Sequence, residues 1–166
     1  MDSPFPSNPR ELQSAEQVLL GATRLWVSKA ENSDQAFEAI RSYYSMFGVE
    51  DAAQSHVAIL YHSATAASRP IRINALCDPG LTLDESRLVH AVGHAQVGRH
   101  DLSSGCLASW LAPAALRLTL PAVKALADGL AARNLIASVR PWSCASGLSD
   151  FDRMASPHLQ ASSLAH

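Results

Sequence analysis

The one dense run of side chains able to do chemistry is Cys77 followed by His90, His94 and His100. Two imidazoles four residues apart project from the same side of a helix. A thiolate and a third imidazole nearby would extend them toward the nitrogen and sulfur donor set that zinc takes. His90, His94 and Cys77 are therefore the candidate metal ligands, with zinc as the metal and His100 as a further donor. No catalytic residue is nominated. The chain has no glycine-rich phosphate loop and no G-x-S-x-G nucleophile elbow, and no organic cofactor is expected. Cys106 lies beside Leu107 and Trp110, where a buried, inert thiol is expected.

Two resemblances follow from these spacings. His90, His94 and His100 resemble the zinc motif H-E-x-x-H-x-x-G-x-x-H of metzincin proteases, which implies three histidine ligands on a helix and a turn. The chain departs from it at Ala91, where the motif has its glutamate base, and at Val97, where it has glycine; Gly98 comes one place late. Without that glutamate, a bound metal lacks the base that activates its water. Cys77, twelve residues, His90, three residues, His94 is similar to the latter half of a C2H2 zinc finger, but Asn74 stands where the first cysteine belongs. Neither pattern supplies a closed tetrahedral set, and Arg87 nearby repels a cation. The expectation is two histidines on a solvated helix face.

That expectation rests on the helix that carries them. Thr82 followed by Glu85 has capping-box spacing, Asp84 adds favourable charge at the helix start, and Gly98 suits its end. On a wheel of about 100° per residue, Leu88, Ala91, Val92 and Ala95 share one side. His90 and His94 fall roughly opposite, with Ser86 and Arg87.

The rest of the chain reads as helices of the same kind. Asn8-Pro9-Arg10-Glu11 opens one with Leu12, Ala15, Leu19, Ala22 and Trp26 on its stripe, running to about Lys29. Asn32 or Ser33 caps the next, with Phe37, Ile40, Tyr44 and Phe47 aligned and Gly48 at its end. Glu50 and Asp51 open a third, with Ala53, Val57, Leu60 and Ala64 on its face, His56 near the edge of that stripe and His62 away from it. Ala67-Ser68-Arg69-Pro70 breaks the pattern. Residues 71–75 then alternate, and are expected either to pair with residues 135–139 as a two-stranded ribbon or to be irregular. A short helix through Cys106 and Trp110 follows. Pro113 starts another, which Pro121 kinks or divides, ending near Arg133-Asn134.

The fold class is thus mainly α: a single compact bundle of about six helices over residues 9–142. Residues 1–8 are expected as a flexible tail, and residues 143–166, rich in serine and alanine, as a disordered one. Hydrophobic residues make up 48% of the 166, enough for a substantial core. A net charge of −2 gives no drive toward nucleic acid or acidic membrane. Three cysteines without C-x-x-C spacing point to a reducing compartment. No signal peptide and no membrane-length apolar run is seen, so a cytoplasmic protein is expected. Lys29 and Lys124 are the only lysines, a bias found in high-GC bacterial genomes. Good helices without a catalytic set suggest a non-catalytic interaction or regulatory module, with a protein partner or a homodimer. The alternatives are a zinc-binding domain on the His90/His94 helix and a helix–turn–helix DNA-binding regulator. For the last, the recognition segment from Asp101 has no arginine or lysine to reach DNA.

Overall fold

The periodic apolar stripes become helices. The computed structural model describes residues 14–138, and among these are α1 (Ser14–Ser28), α2 (Ser33–Ser45), α3 (Ala53–Ala66), α4 (Leu83–Gln96), α5 (His100–Leu107) and α6 (Pro113–Ala131). A 3₁₀ turn at Glu50–Ala52 leads into α3. The expected tails, residues 1–8 and 143–166, lie outside the described residues.

Local chemistry sets the helix ends. The Asn32 side chain accepts from the N–H groups of Asp34 and Gln35, each at 3.1 Å, satisfying two of the donors that a helix start leaves unpaired. The Thr82–Glu85 capping box forms in full: Glu85 N–H donates to Thr82 Oγ1 at 3.1 Å, and Thr82 N–H donates to Glu85 Oε2 at 2.8 Å. Asn134 closes α6 in the left-handed conformation, at φ 57°, and Leu135 N–H bonds back to the Leu130 carbonyl. Pro121 does not divide α6; it lies on the exposed side, where water can serve the carbonyl it leaves unpaired.

The organising element is α4. It packs against α1, α5 and α6, and eleven of its fourteen residues are buried. The core includes Leu19, Ile40, Tyr44, Ile59, Leu107, Trp110, Leu126 and Leu130, all essentially inaccessible. Burying side chains of this size stabilises by roughly 1.5–3 kcal/mol each before chain entropy is counted. Ser103 Oγ donates to the Ala91 carbonyl at 2.7 Å, fixing α5 on α4. Among the described residues no helix is long and apolar enough to cross a membrane.

The ribbon of residues 71–75 with 135–139 does not form. Among the described residues there is no strand, only an isolated antiparallel bridge between Ala67 and Leu111. The two segments lie at opposite ends of α4, roughly 17 Å apart at 1.5 Å per helical residue. Side chains of α4 replace the missing ladder. Arg72 N–H donates to Asp84 Oδ2 and Asn74 N–H to Glu85 Oε1 at one end. At the other, Gln96 Nε2 donates to the Leu135 carbonyl at 2.8 Å, and Ala137 N–H donates to Gln96 Oε1 at 2.9 Å. Gly93 permits this: a β-carbon there would stand 3.3 Å from the Ala137 carbonyl oxygen.

Cys106, expected as an inert thiol, is disulfide-bonded. The inference of a reducing compartment from free cysteines loses that support.

Candidate functional site

The residues nominated from the sequence scatter. Cys77 is an exposed, free thiol in the turn before α4. His100 is exposed at the first position of α5. His90 and His94 are buried, at 4% and 2% exposure, which overturns the solvated face. The wheel ranks the two sides of α4 correctly by apolarity. It cannot show that neighbouring elements cover the less apolar side as well. His90 Nδ1 lies 3.4 Å from Ser86 Oγ. Among the described residues neither ring nitrogen of His94 has a hydrogen-bond partner. Burial, together with the charge of Arg99, holds its pKa below the ordinary histidine value; Asp101 opposes this. Among the described residues no three His, Cys, Asp or Glu side chains come together as a metal site.

A third histidine anchors the other side of the core. His56 on α3 is fully buried, with Nδ1 2.5 Å from Tyr44 Oη and Nε2 3.1 Å from Thr23 Oγ1. Thr23 Oγ1 donates its proton to the Leu19 carbonyl at 2.8 Å, so it must accept from His56 Nε2–H. That leaves Nδ1 to accept from the Tyr44 hydroxyl. The chain Tyr44, His56, Thr23, Leu19 is neutral and satisfied at every atom. Burial pushes the His56 pKa down to about 3. It is a structural link between α1, α2 and α3.

A cleft of about 460 Å³ lies beside the N-terminal half of α4. Trp26 and Val27 come from the end of α1, Leu60, Ser63 and Ala64 from α3, Asp84 and Leu88 from α4, and Trp110 from the turn after α5. Residues 67–71 and Ile73 form the remaining wall. That wall is irregular chain, held by polar contacts. Ser68 N–H and Oγ both donate to the Trp110 carbonyl, at 2.8 and 3.1 Å. The Arg69 guanidinium grips Asp84 with both terminal nitrogens, at 2.9 and 2.7 Å. Its Nε donates to the Ser109 carbonyl at 3.1 Å, and it sits 5.8 Å from the Trp110 ring centroid, close enough for a cation–π contact. Arg87 Nη1 approaches Asp84 from the opposite side, at 3.8 Å.

Charge at this wall is coupled. Burial works against ionised Asp84, but the hydrogen bonds from Arg69 and Arg72 N–H, and the charges of Arg69 and Arg87, outweigh it and hold the carboxyl below its ordinary range. The Asp84 hydrogen bonds raise the Arg69 pKa. Arg87 is lowered by burial, with the neighbouring Arg69 charge adding to the effect against Asp84.

Beneath the wall lies a second ion pair. Arg24 Nε and Nη2 donate to the two oxygens of Glu85 at 2.7 and 3.1 Å, with side-chain exposures of 4% and 0%. Arg24 also donates to the carbonyls of Asp78 and Gly80. Glu85 thus completes the capping box, accepts from Asn74 N–H and neutralises Arg24, and the extended segment between α3 and α4 is tied to α1 through it.

The cleft's hydroxyl groups are engaged with its floor. Trp110 Nε1–H donates to Ser63 Oγ at 3.3 Å, and Ser68 Oγ is spent on the Trp110 carbonyl. Among the described residues neither serine contacts a general base of the kind that activates a nucleophile. Trp26, Ser63, Arg69 and Trp110 were not singled out from the sequence. The tryptophans read there as stripe residues, and Arg69 as part of a helix break. An arginine next to Pro70, followed by alternating isoleucines, was the available sign that this break carries a packed wall.

No protein-family model matches the chain, and neither a curated protein nor a solved structure matches it.

Proposed function

We propose that the chain is a non-catalytic binding module whose site is the cleft between Trp26 and Trp110, and that its ligand is a small, largely apolar molecule. The observation that carries this is the cleft itself. At about 460 Å³ it lies within the roughly 300–1,000 Å³ typical of small-molecule sites. Its lining combines the half-buried Trp26 indole and aliphatic side chains, over the buried Trp110, with a few fixed polar groups, the composition such sites share. The serines are tied to Trp110 and the arginine to Asp84, which supports binding over catalysis. The wall of residues 67–73 is irregular chain rather than helix, so an occupied cleft would hold it more firmly and report occupancy to a partner.

The test is a fragment screen by NMR on the full chain, with Ala64→Trp as the blocked control. Apolar aromatic fragments should perturb Leu60, Ile71 and Leu88, and Ala64→Trp should abolish those shifts while the protein stays folded. Fragments that perturb only other surfaces, or that bind the blocked variant equally well, overturn the proposal.

A further inference from the structure

Resting on the cleft reading above, we infer that the ligand is an apolar carboxylic acid bound as its anion, with its carboxylate at the Arg69 side of the cleft and its apolar body against Trp26 and the aliphatic lining.

The hydrogen-bonding capacity left over in the cleft is mainly donor capacity. A guanidinium has five N–H groups. In Arg69, Nε serves Ser109, Nη1 serves Pro70 and Asp84, and Nη2 serves Asp84 once, so one Nη2–H remains uncommitted. Ser63 Oγ accepts from Trp110, and among the described residues its own proton has no acceptor. The Trp26 indole N–H likewise has no acceptor among them. The strongest acceptor on the wall is already occupied. Asp84 Oδ1 faces Arg69 and Arg87, and Oδ2 takes Arg69 and Arg72 N–H. A ligand whose polar end donates would compete for a saturated carboxylate, whereas one that accepts finds free partners.

Charge selects among acceptors. Arg69 and Arg87 share the single carboxylate of Asp84, leaving one positive charge in excess beside the cleft. The Arg24–Glu85 pair is closed and contributes no net charge. The depressed Arg87 pKa is in keeping with this excess, since burial and the Arg69 charge both disfavour its ionised form. An anion in the cleft would neutralise the surplus. A cation would add to it.

Three probes of one shape test the inference on the full chain: 2-naphthoate, 2-naphthamide and 2-naphthylmethylammonium, compared by isothermal titration calorimetry. The naphthoate should bind about tenfold more tightly than the amide, the scale of one unit charge in a partly screened site, and the ammonium most weakly. Arg87→Gln, outside the cleft lining, should weaken naphthoate several-fold and leave the amide unchanged. Should that variant fold poorly, raised salt on the parent protein should weaken naphthoate selectively through screening. An amide or ammonium that binds as well as naphthoate overturns the anion assignment and leaves the cleft reading intact. So does an equal response of naphthoate and amide to salt or to Arg87→Gln. Failure of all three probes to bind overturns both.

Discussion

Replacing Arg24 by methionine isolates the contact on which the site depends. The methionine stem fills much the same volume as the arginine stem, so packing changes little and the charge is what is lost. Glu85, with no exposed side-chain surface, would keep its N–H donors from Thr82 and Asn74 but lose both guanidinium bonds. Removing one member of a buried pair leaves an uncompensated charge and costs about 3–5 kcal/mol. The Asp78 and Gly80 carbonyls also lose Arg24, but they lie in the turn before α4, where water can replace it. A total near 4 kcal/mol is a large part of the roughly 5–15 kcal/mol that holds a domain together. For a domain of this size it corresponds to a fall in Tm of roughly 10–20 °C. The assay is urea unfolding followed by circular dichroism, with Lys124→Ala alongside. That substitution breaks an exposed pair with Asp128 and should cost no more than about 0.5 kcal/mol. Arg24→Met with Glu85→Gln should recover part of the loss, because a neutral amide is cheaper to bury than a lone carboxylate. A loss below about 1 kcal/mol for Arg24→Met, comparable to a surface pair, would refute the reasoning.

Acid should destabilise the protein through His56. Its folded pKa of about 3 lies below the unfolded value of 6.5, so its contribution is complete above pH 6.5 and is lost as pH falls toward 3. Near pH 5 about 2 kcal/mol should be gone, at roughly 1.4 kcal/mol per unit, and His56→Asn should show a shallower decline in unfolding free energy between pH 7 and pH 5. Asp84, held below its ordinary value, should add a second loss as pH falls below the unfolded carboxylate range; Asp84→Asn should remove it. Tyr44→Phe strips His56 Nδ1 of its donor and should cost about 1–3 kcal/mol, measured by thermal melting. Gly93→Val places a branched side chain where a β-carbon would already stand 3.3–3.4 Å from Ala137; it should cost roughly 1–3 kcal/mol and speed hydrogen exchange at Ala137.

The helices were legible because their signals are local. The Thr82–Glu85 box, the Asn32 cap and the Asn134 stop each need only side chain and backbone within three or four residues, and all three form. The extended segments were not legible in the same way. Alternation in residues 71–75 announces an extended chain, and the chain there is neither helix nor strand. What satisfies its N–H groups is a separate question. A neighbouring strand would be one answer, and two carboxylates at a helix start are another. Asp84 and Glu85 look fully explained by capping, which hides that they also serve Arg72 and Asn74. The partner that makes Glu85 a buried ion, Arg24, lies sixty-one residues away on a helix whose stripe gives no sign of it.

The histidines of α4 failed for a related reason. A wheel compares the faces of one helix with each other, and α4 does carry its aliphatic side chains on one face. Which faces are covered depends on the neighbours. A helix packed against α1, α5 and α6 buries its weaker face too. There Gly93 is small, His90 lies within reach of Ser86 Oγ, and burial lowers the His94 pKa, which favours its neutral form. In a buried helix the informative signal is therefore the shortage of charge rather than the position of the apolar stripe. After Asp84, Glu85 and Arg87, whose charges are paired at the cleft and its underlying ion pair, α4 carries no aspartate, glutamate, lysine or arginine through Gln96. Nine residues of helix without a fixed charge, Leu88 to Gln96, point to burial on every side, and they place the ionised groups at the one end of α4 that borders the cleft.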